Sequence, residues 1–211
     1  MPRKPKQSRS IATVDAIVEA GFICLSRHGL AGTTTNHIAA VAGLSSGSVY
    51  EYFSNKEEIF EQMGERFLQD VTQFVSTLKV QLPEMEIPDV IRVLSNGFCT
   101  LLMNNDRRYL YFVQYVLLPD SREFTELLSR ALNDLAVQYL MNHPRYMRIR
   151  NLNTMVYIVI NAGIYNTLLN LSSESPPVKF DALVDGFVNI VTYYVDHDLM
   201  LQDKNQSNPA A

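Results

Sequence analysis

The stretch from Thr33 to Lys56 constrains this chain more than any other, because it fits two helix starts, one obligatory turn and a third helix start into 24 residues. Thr34 is placed to accept a hydrogen bond from the free amides of a helix beginning at Thr35. Ile38, Ala39, Val41 and Ala42 give that helix an apolar side with small residues for close approach. Gly43 stands where the chain turns sharply, since glycine alone takes positive φ without steric cost, and Leu44 plugs the angle between the helices. Ser45 or Ser46 then caps a second helix running to about Tyr52. Along it Val49 and Phe53 face inward, leaving Ser46, Ser48, Tyr50, Glu51 and Tyr52 outward. Ser54 or Asn55 caps the next helix, with Lys56 in its first turn.

Two short helices at a wide angle across a glycine turn form a helix-turn-helix, whose second helix enters the major groove of DNA. An ordinary helix corner uses the same glycine and caps. What separates the two readings is the hydroxyl-rich outer face followed at once by a lysine-led helix. A cation at a helix start opposes the helix dipole unless an anion sits nearby, and a DNA phosphate is such an anion. Glu51 beside that face either accepts from a cytosine amino group or turns to solvent.

On these residues the segment from Arg9 to Phe67 resembles the N-terminal domain of TetR-family transcriptional regulators. The pattern is matched at Thr33, Thr34, Ile38, Ala39, Ala42, Gly43, Ser45, Gly47, Tyr50, Tyr52, Phe53, Lys56 and Glu57, with conservative changes at Leu44 and Val49. Family members often carry Lys where Ser46 stands, so one phosphate contact is weaker here. The resemblance implies an all-α, TetR-like fold: an N-terminal three-helix helix-turn-helix domain and a larger C-terminal helical domain for ligand binding and dimerisation. It further implies a homodimer on a palindromic double-stranded DNA operator, a repressor released by a small organic effector. The competing expectation is an architectural or division-control DNA-binding protein of the same fold, acting through a protein partner without an effector. DNA contacts are expected from Thr33, Thr34, Thr35, His37, Ser45, Ser46, Gly47, Ser48, Tyr50, Tyr52 and Lys56.

Charge distribution agrees with that assignment. The net charge of the 211 residues is −4, yet residues 1–56 carry six Lys or Arg against Asp15, Glu19 and Glu51. A basic headpiece on an acidic body directs DNA to one end. The Pro- and Lys-rich arm from Met1 to Ser8 leads into Arg9; Arg3, Lys4, Lys6 and Arg9 follow phosphates, enter the minor groove or merely solubilise the chain.

Four segments are expected: arm and DNA-binding domain 1–54, connecting helix 55–82, effector and dimer domain 83–201, and a solvated tail 202–211. The first helix runs from about Ser10 to His28 and stops at Gly29. The connecting helix carries one apolar stripe through Ile59, Phe60, Met63, Phe67, Val71, Phe74 and Leu78. Further helices are expected at Asp89 to Met103, Arg107 to Leu118, Ser121 to Met141, Met147 to Ser172 and Phe180 to Leu199, punctuated by Asp106, Pro119, Asp120, Pro144, Pro176 and Pro177.

Residues 109–117 are apolar all round and belong in the body's centre. The resembled family encloses a ligand cavity there. Candidates to line it are Phe98, Tyr111, Phe112, Tyr115, Phe124, Tyr157 and Tyr165, with Asn96, Gln114 and Asn161 for polar contacts; ordinary core is the alternative for each. Arg107 and Arg108 either meet a ligand carboxylate or pair with acids. Ala162, Gly163, Gly186, Phe187, Ile190, Val191 and Tyr194, on the last two helices, are the expected dimer interface, giving a four-helix contact as in the resembled family.

Other classes fit poorly. His28, His37, His143 and His197 lack metal-ligand spacing, and no phosphate loop or nucleophile elbow occurs, so an enzyme, a metal or a cofactor is not expected. Cys24 and Cys99 read as small core residues of a cytoplasmic protein. Residues 151–173 carry no charge and are long enough for a membrane span, but five asparagines would be costly in lipid. No signal peptide is expected, because the basic start lacks an apolar stretch.

Overall fold

The computed structural model describes residues 8–114 and 122–207, and every regular element among them is helical. The long helices are α1 (Ser8–Gly32), α4 (Lys56–Leu78), α5 (Ile87–Phe112), α6 (Arg122–Asn142), α7 (Leu152–Ser172) and α8 (Phe180–Ser207). Between α1 and α4 lie the short α2 (Thr35–Ala42) and α3 (Ser46–Tyr50). The chain divides into two compact units, one of Met1–Asp70 with Leu101–Arg122 and one of Val71–Thr100 with Glu123–Ala211. This grouping cuts across the expected segments: the connecting helix is shared, and part of the expected effector domain belongs with the headpiece.

In the first unit α1, α4 and the end of α5 share an aromatic core. Phe22 meets the Tyr109 ring edge-on at 5.1 Å and the Phe112 ring at 5.4 Å, while Phe67 lies 4.8 Å from Tyr109. Such contacts add to the large apolar area each ring buries. Ile17, Leu25, Ile38, Val49, Ile59 and Met63, all fully buried, continue this core through the three-helix headpiece. Ion pairs fasten its rim: Arg66 to Asp15 at 2.5 Å and Arg108 to Glu19 at 2.5 Å. Arg108 thus pairs with an acid, and its guanidinium also lies over the Tyr109 ring at 4.9 Å.

Several boundaries differ from expectation for identifiable reasons. The stop at Gly29 is a kink (φ 64°), after which one further turn carries α1 to Gly32. The break expected at Asp106 is a left-handed kink, with Asp106 and Arg107 at φ 55° and 60°, inside the continuous span of α5. Pro144 opens a separate 3-10 turn through Arg148, so α7 starts at Leu152 rather than Met147. The tail expected from Gln202 is helical as far as Ser207.

The second unit packs apolar faces of α5 to α8 and the end of α4. Asp198 of α8 accepts from the Arg150 backbone amide at 2.8 Å and its Nε at 3.1 Å, tying α8 to the start of α7. Those bonds, the backbone one foremost, hold the Asp198 carboxyl below its ordinary range. Tyr139 Oη donates to the Met85 carbonyl at 2.9 Å, linking α6 to the turn before α5.

Candidate nucleic-acid interface and ligand cavity

The helix-turn-helix is built by its own side chains. Thr34 Oγ1 accepts from the His37 amide at 3.2 Å, capping α2. Gly43 at φ 69° ends it, with the Leu44 amide returning to the Ala39 carbonyl at 2.9 Å. Ser45, not Ser46, caps α3, accepting from the Ser48 amide at 3.0 Å. Ser46 instead donates to Asn36 Oδ1 at 2.8 Å, cross-linking α3 to α2. At α4 the Asn55 side chain accepts from the Glu58 amide at 2.9 Å, and Glu58 accepts from the Ser54 amide at 2.8 Å. This reciprocal cap, with Glu57 beside it, offsets the dipole cost of Lys56 at the helix start.

Val49 and Phe53 are buried, and Tyr50 is 55% exposed beside exposed Gly47. Thr34, His37 and Ser45 are also exposed; Thr35, Ser46, Ser48, Tyr52 and Lys56 are partly so. Thr33 is a correction. It is fully buried, with its hydroxyl donating to the Gly29 carbonyl at 2.7 Å, so it braces the kink and presents nothing outward. Asn36, which positions Ser46, escaped sequence reasoning because an exposed amide in a short helix carries no pattern of its own. Arg3, Lys4 and Lys6 lie outside the described residues, as does the side chain of Arg9.

The second unit holds a partly open cavity of about 210 Å³. Its wall is apolar, with Leu, Ile, Val and Phe side chains from α4 to α8 and no charged side chain among the described residues. Phe98 lines it. Several other expected liners do not. Tyr111, Phe112 and Gln114 belong to the first unit, where Phe112 is fully buried against Phe22. Asn96 is exposed on α5. Asn161 spends its amide on the Tyr157 carbonyl at 2.8 Å and accepts from Ser129 at 3.2 Å. Tyr157 and Tyr165 point outward, 62% and 60% exposed. Tyr115 and the Phe124 side chain lie outside the described residues.

The expected dimer residues also separate into two sets. Gly163, Phe187 and Val191 line the cavity, with Phe187 packed where a Cβ on Gly163 would stand only 3.4 Å away. Ala162 is half-buried, whereas Gly186, Ile190 and Tyr194 are exposed. Ile190 joins Tyr193 and Met200 in an exposed stripe on α8, and Ile158, Tyr165 and Leu169 form another on α7. The length and apolarity of α7 would suffice to cross a membrane. One side of it, however, lines the cavity, and Asn166 returns its amide to the Ala162 carbonyl at 2.7 Å.

Residues 17–63 match the family of bacterial regulatory proteins, tetR family. A nucleoid occlusion factor, SlmA of Haemophilus ducreyi, is 29% identical over 79 residues, 37% of this chain and 38% of the relative. The chain therefore aligns with well under half the length of that curated relative. Among solved structures, the fatty acid degradation regulator FadR of Bacillus halodurans superposes with a TM-score of 0.65 at 19% identity, covering 89% of this chain and 96% of that one. AibR, solved with isovaleryl coenzyme A and operator DNA, gives 0.56 at 16% identity over 84% and 97% of the two chains. At such identities the likeness is one of fold.

Proposed function

We propose that this chain, which belongs to the tetR family of bacterial regulatory proteins, is a cytoplasmic, non-enzymatic DNA-binding regulator that acts as a homodimer on a palindromic operator. The observation that carries this reading is the frame from Thr34 to Lys56: three capped helix starts and a left-handed glycine hold α3 with its hydroxyl and tyrosine face outward. A five-residue recognition helix reads too few bases to be specific alone, so a twin one DNA turn away is required.

The regulator is a repressor released by a small, mostly apolar effector bound in the second unit. The cavity supports this reading, being concave, apolar and bounded by helices as small-molecule sites are. AibR, of similar fold, was solved with both an acyl-coenzyme A and operator DNA. α4 begins at Lys56 and ends among cavity residues Val71, Phe74 and Val75. An effector that shifts this helix changes the spacing of the two recognition helices and hence their fit to successive major grooves. The likeness to SlmA favours a second reading, DNA binding tied to a protein partner with no effector.

Selection of bound fragments from genomic DNA by the full chain tests the proposal. Enrichment of a palindromic motif, and its release when metabolites are added, is the expected result. Failure to enrich any palindrome overturns the regulator reading. Enrichment without release by any metabolite favours the partner-dependent one.

A further inference from the structure

The cavity wall carries few polar side chains, and its two tyrosines are committed. Tyr139 donates to the Met85 carbonyl at 2.9 Å, and Tyr146 donates to Glu86 at 3.2 Å while receiving Arg145. The cations near the wall are likewise taken: Arg92 by Asp185, Arg145 by Glu86, Arg148 by Asp203 and Arg150 by Asp198. A ligand carboxylate or ammonium in this space would lose its hydration without an opposite charge to meet it, which costs several kcal/mol.

Two wall hydroxyls, those of Ser95 and Thr167, are different, and Thr167 is the more buried of the two. It lies on α7, lines the cavity and is 5% exposed, yet its hydroxyl has no hydrogen-bond partner among the described residues. Helical threonines usually return their hydroxyl to the carbonyl one turn back. Thr77 and Thr100 do so here, at 2.7 and 2.8 Å. A wall hydroxyl without a protein partner is a group that a ligand oxygen can satisfy.

We infer that the cavity takes an uncharged, hydrocarbon-rich ligand bearing a hydrogen-bonding oxygen, an alcohol, ketone or ester, and that Thr167 Oγ1, the more buried of the two uncommitted wall hydroxyls, meets this oxygen. This rests on the ligand-responsive reading above and narrows it. The hydrocarbon part fills the aliphatic wall, and the oxygen fixes its orientation. Acids and amines of equal chain length are rejected, because no free counter-charge lines the described wall.

The test is displacement of the fluorescent apolar amine N-phenyl-1-naphthylamine from the full-length protein by 1-octanol, octanoate and octylammonium at pH 7.5. The expected order is 1-octanol tightest, with the two ions at least about 100-fold weaker, the scale of an uncompensated buried charge. Thr167→Val should weaken 1-octanol about fivefold, one neutral hydrogen bond, and leave the fluorescent probe's own affinity unchanged; Thr167→Ser should retain wild-type affinity. Octanoate binding as tightly as 1-octanol, no 1-octanol binding, or a Thr167→Val variant with unchanged preference each overturns the inference. If Thr167→Val fails to fold, the wild-type order of the three probes decides the ligand class, and Thr167→Ala, which should weaken 1-octanol to the same extent, decides the role of the hydroxyl. Binding of 1-octanol without release of operator DNA would leave the ligand class standing and count against the effector role alone.

Discussion

Tyr109 Oη donates to the carboxylate of Asp70, joining α5 to α4 at a point where Tyr109 is 2% exposed and its ring also packs against Phe22 edge-on and against Phe67. Burial first, and then the neighbouring carboxylate, push the Tyr109 phenol well above its ordinary range. A proton held more tightly in the folded state stabilises the fold fully below the unfolded tyrosine value of roughly 10, and that stabilisation is lost as pH rises through it.

Tyr109→Phe should therefore cost about 1–2 kcal/mol at neutral pH, the range for a hydrogen bond to a charged acceptor whose partner regains water. Urea midpoints at pH 8 and pH 11 check both parts. The wild type should lose stability between the two values, and the variant should lose visibly less. Equal alkaline losses would remove Tyr109 as the source.

Lys56 makes no ion pair among the described residues; its ammonium lies 6.0 Å from the Phe60 ring. Lys56→Ala should weaken DNA binding about equally for all sequences and lower the salt-dependence slope by about one unit. Unchanged affinity and slope in a salt titration would show that no phosphate sits there.

Ser46 gives the converse change. Its hydroxyl is spent on Asn36 inside the headpiece. Ser46→Lys should add a phosphate contact, steepening the salt slope by about one unit and tightening binding at low salt, at the loss of one exposed hydrogen bond worth about 1 kcal/mol or less. A flat response in the same titration would place this residue away from the DNA backbone.

The headpiece is the most legible part of the sequence, and the reason is physical. Caps at Thr34, Ser45 and Asn55 and the left-handed Gly43 are local devices, written in consecutive residues and independent of distant packing. Thr33 shows the limit: in a run of three threonines nothing local reveals which hydroxyl folds back onto a kink at Gly29. α7 was harder still, since a helix apolar on every side does not say which side faces the cavity. Tyr157 and Tyr165 proved exposed while Thr167 and Ile164 turned inward. Phe112 packs against Phe22, 90 residues earlier in the chain, a pairing that periodicity does not carry.

Gly97 sets the width of the cavity. A Cβ built there would stand 2.3 Å from Cε2 and 2.4 Å from Cζ of Phe74, whose ring lines the wall. Gly97→Ala should push that ring into the empty space, weakening N-phenyl-1-naphthylamine at least tenfold while costing about 1–3 kcal/mol in overpacking. Lost stability with undiminished probe affinity would mean that the ring moves away from the cavity instead.

The exposed stripe on α8 offers the sharpest check on dimerisation. Ile190 and Tyr193 are 70% and 74% exposed, three residues apart, and Met200 continues their face at 56%. Large apolar groups repeated along one helix face mark a contact surface, and a twofold axis would set each copy against its twin. Ile190→Glu would then bury two unpaired carboxylates near one another, raising the dimer dissociation constant roughly 100-fold or more. Light scattering across a concentration series should find a monomer at micromolar concentrations, with helicity retained and operator affinity lost alongside. A variant that remains dimeric and still binds DNA tightly would place the interface elsewhere.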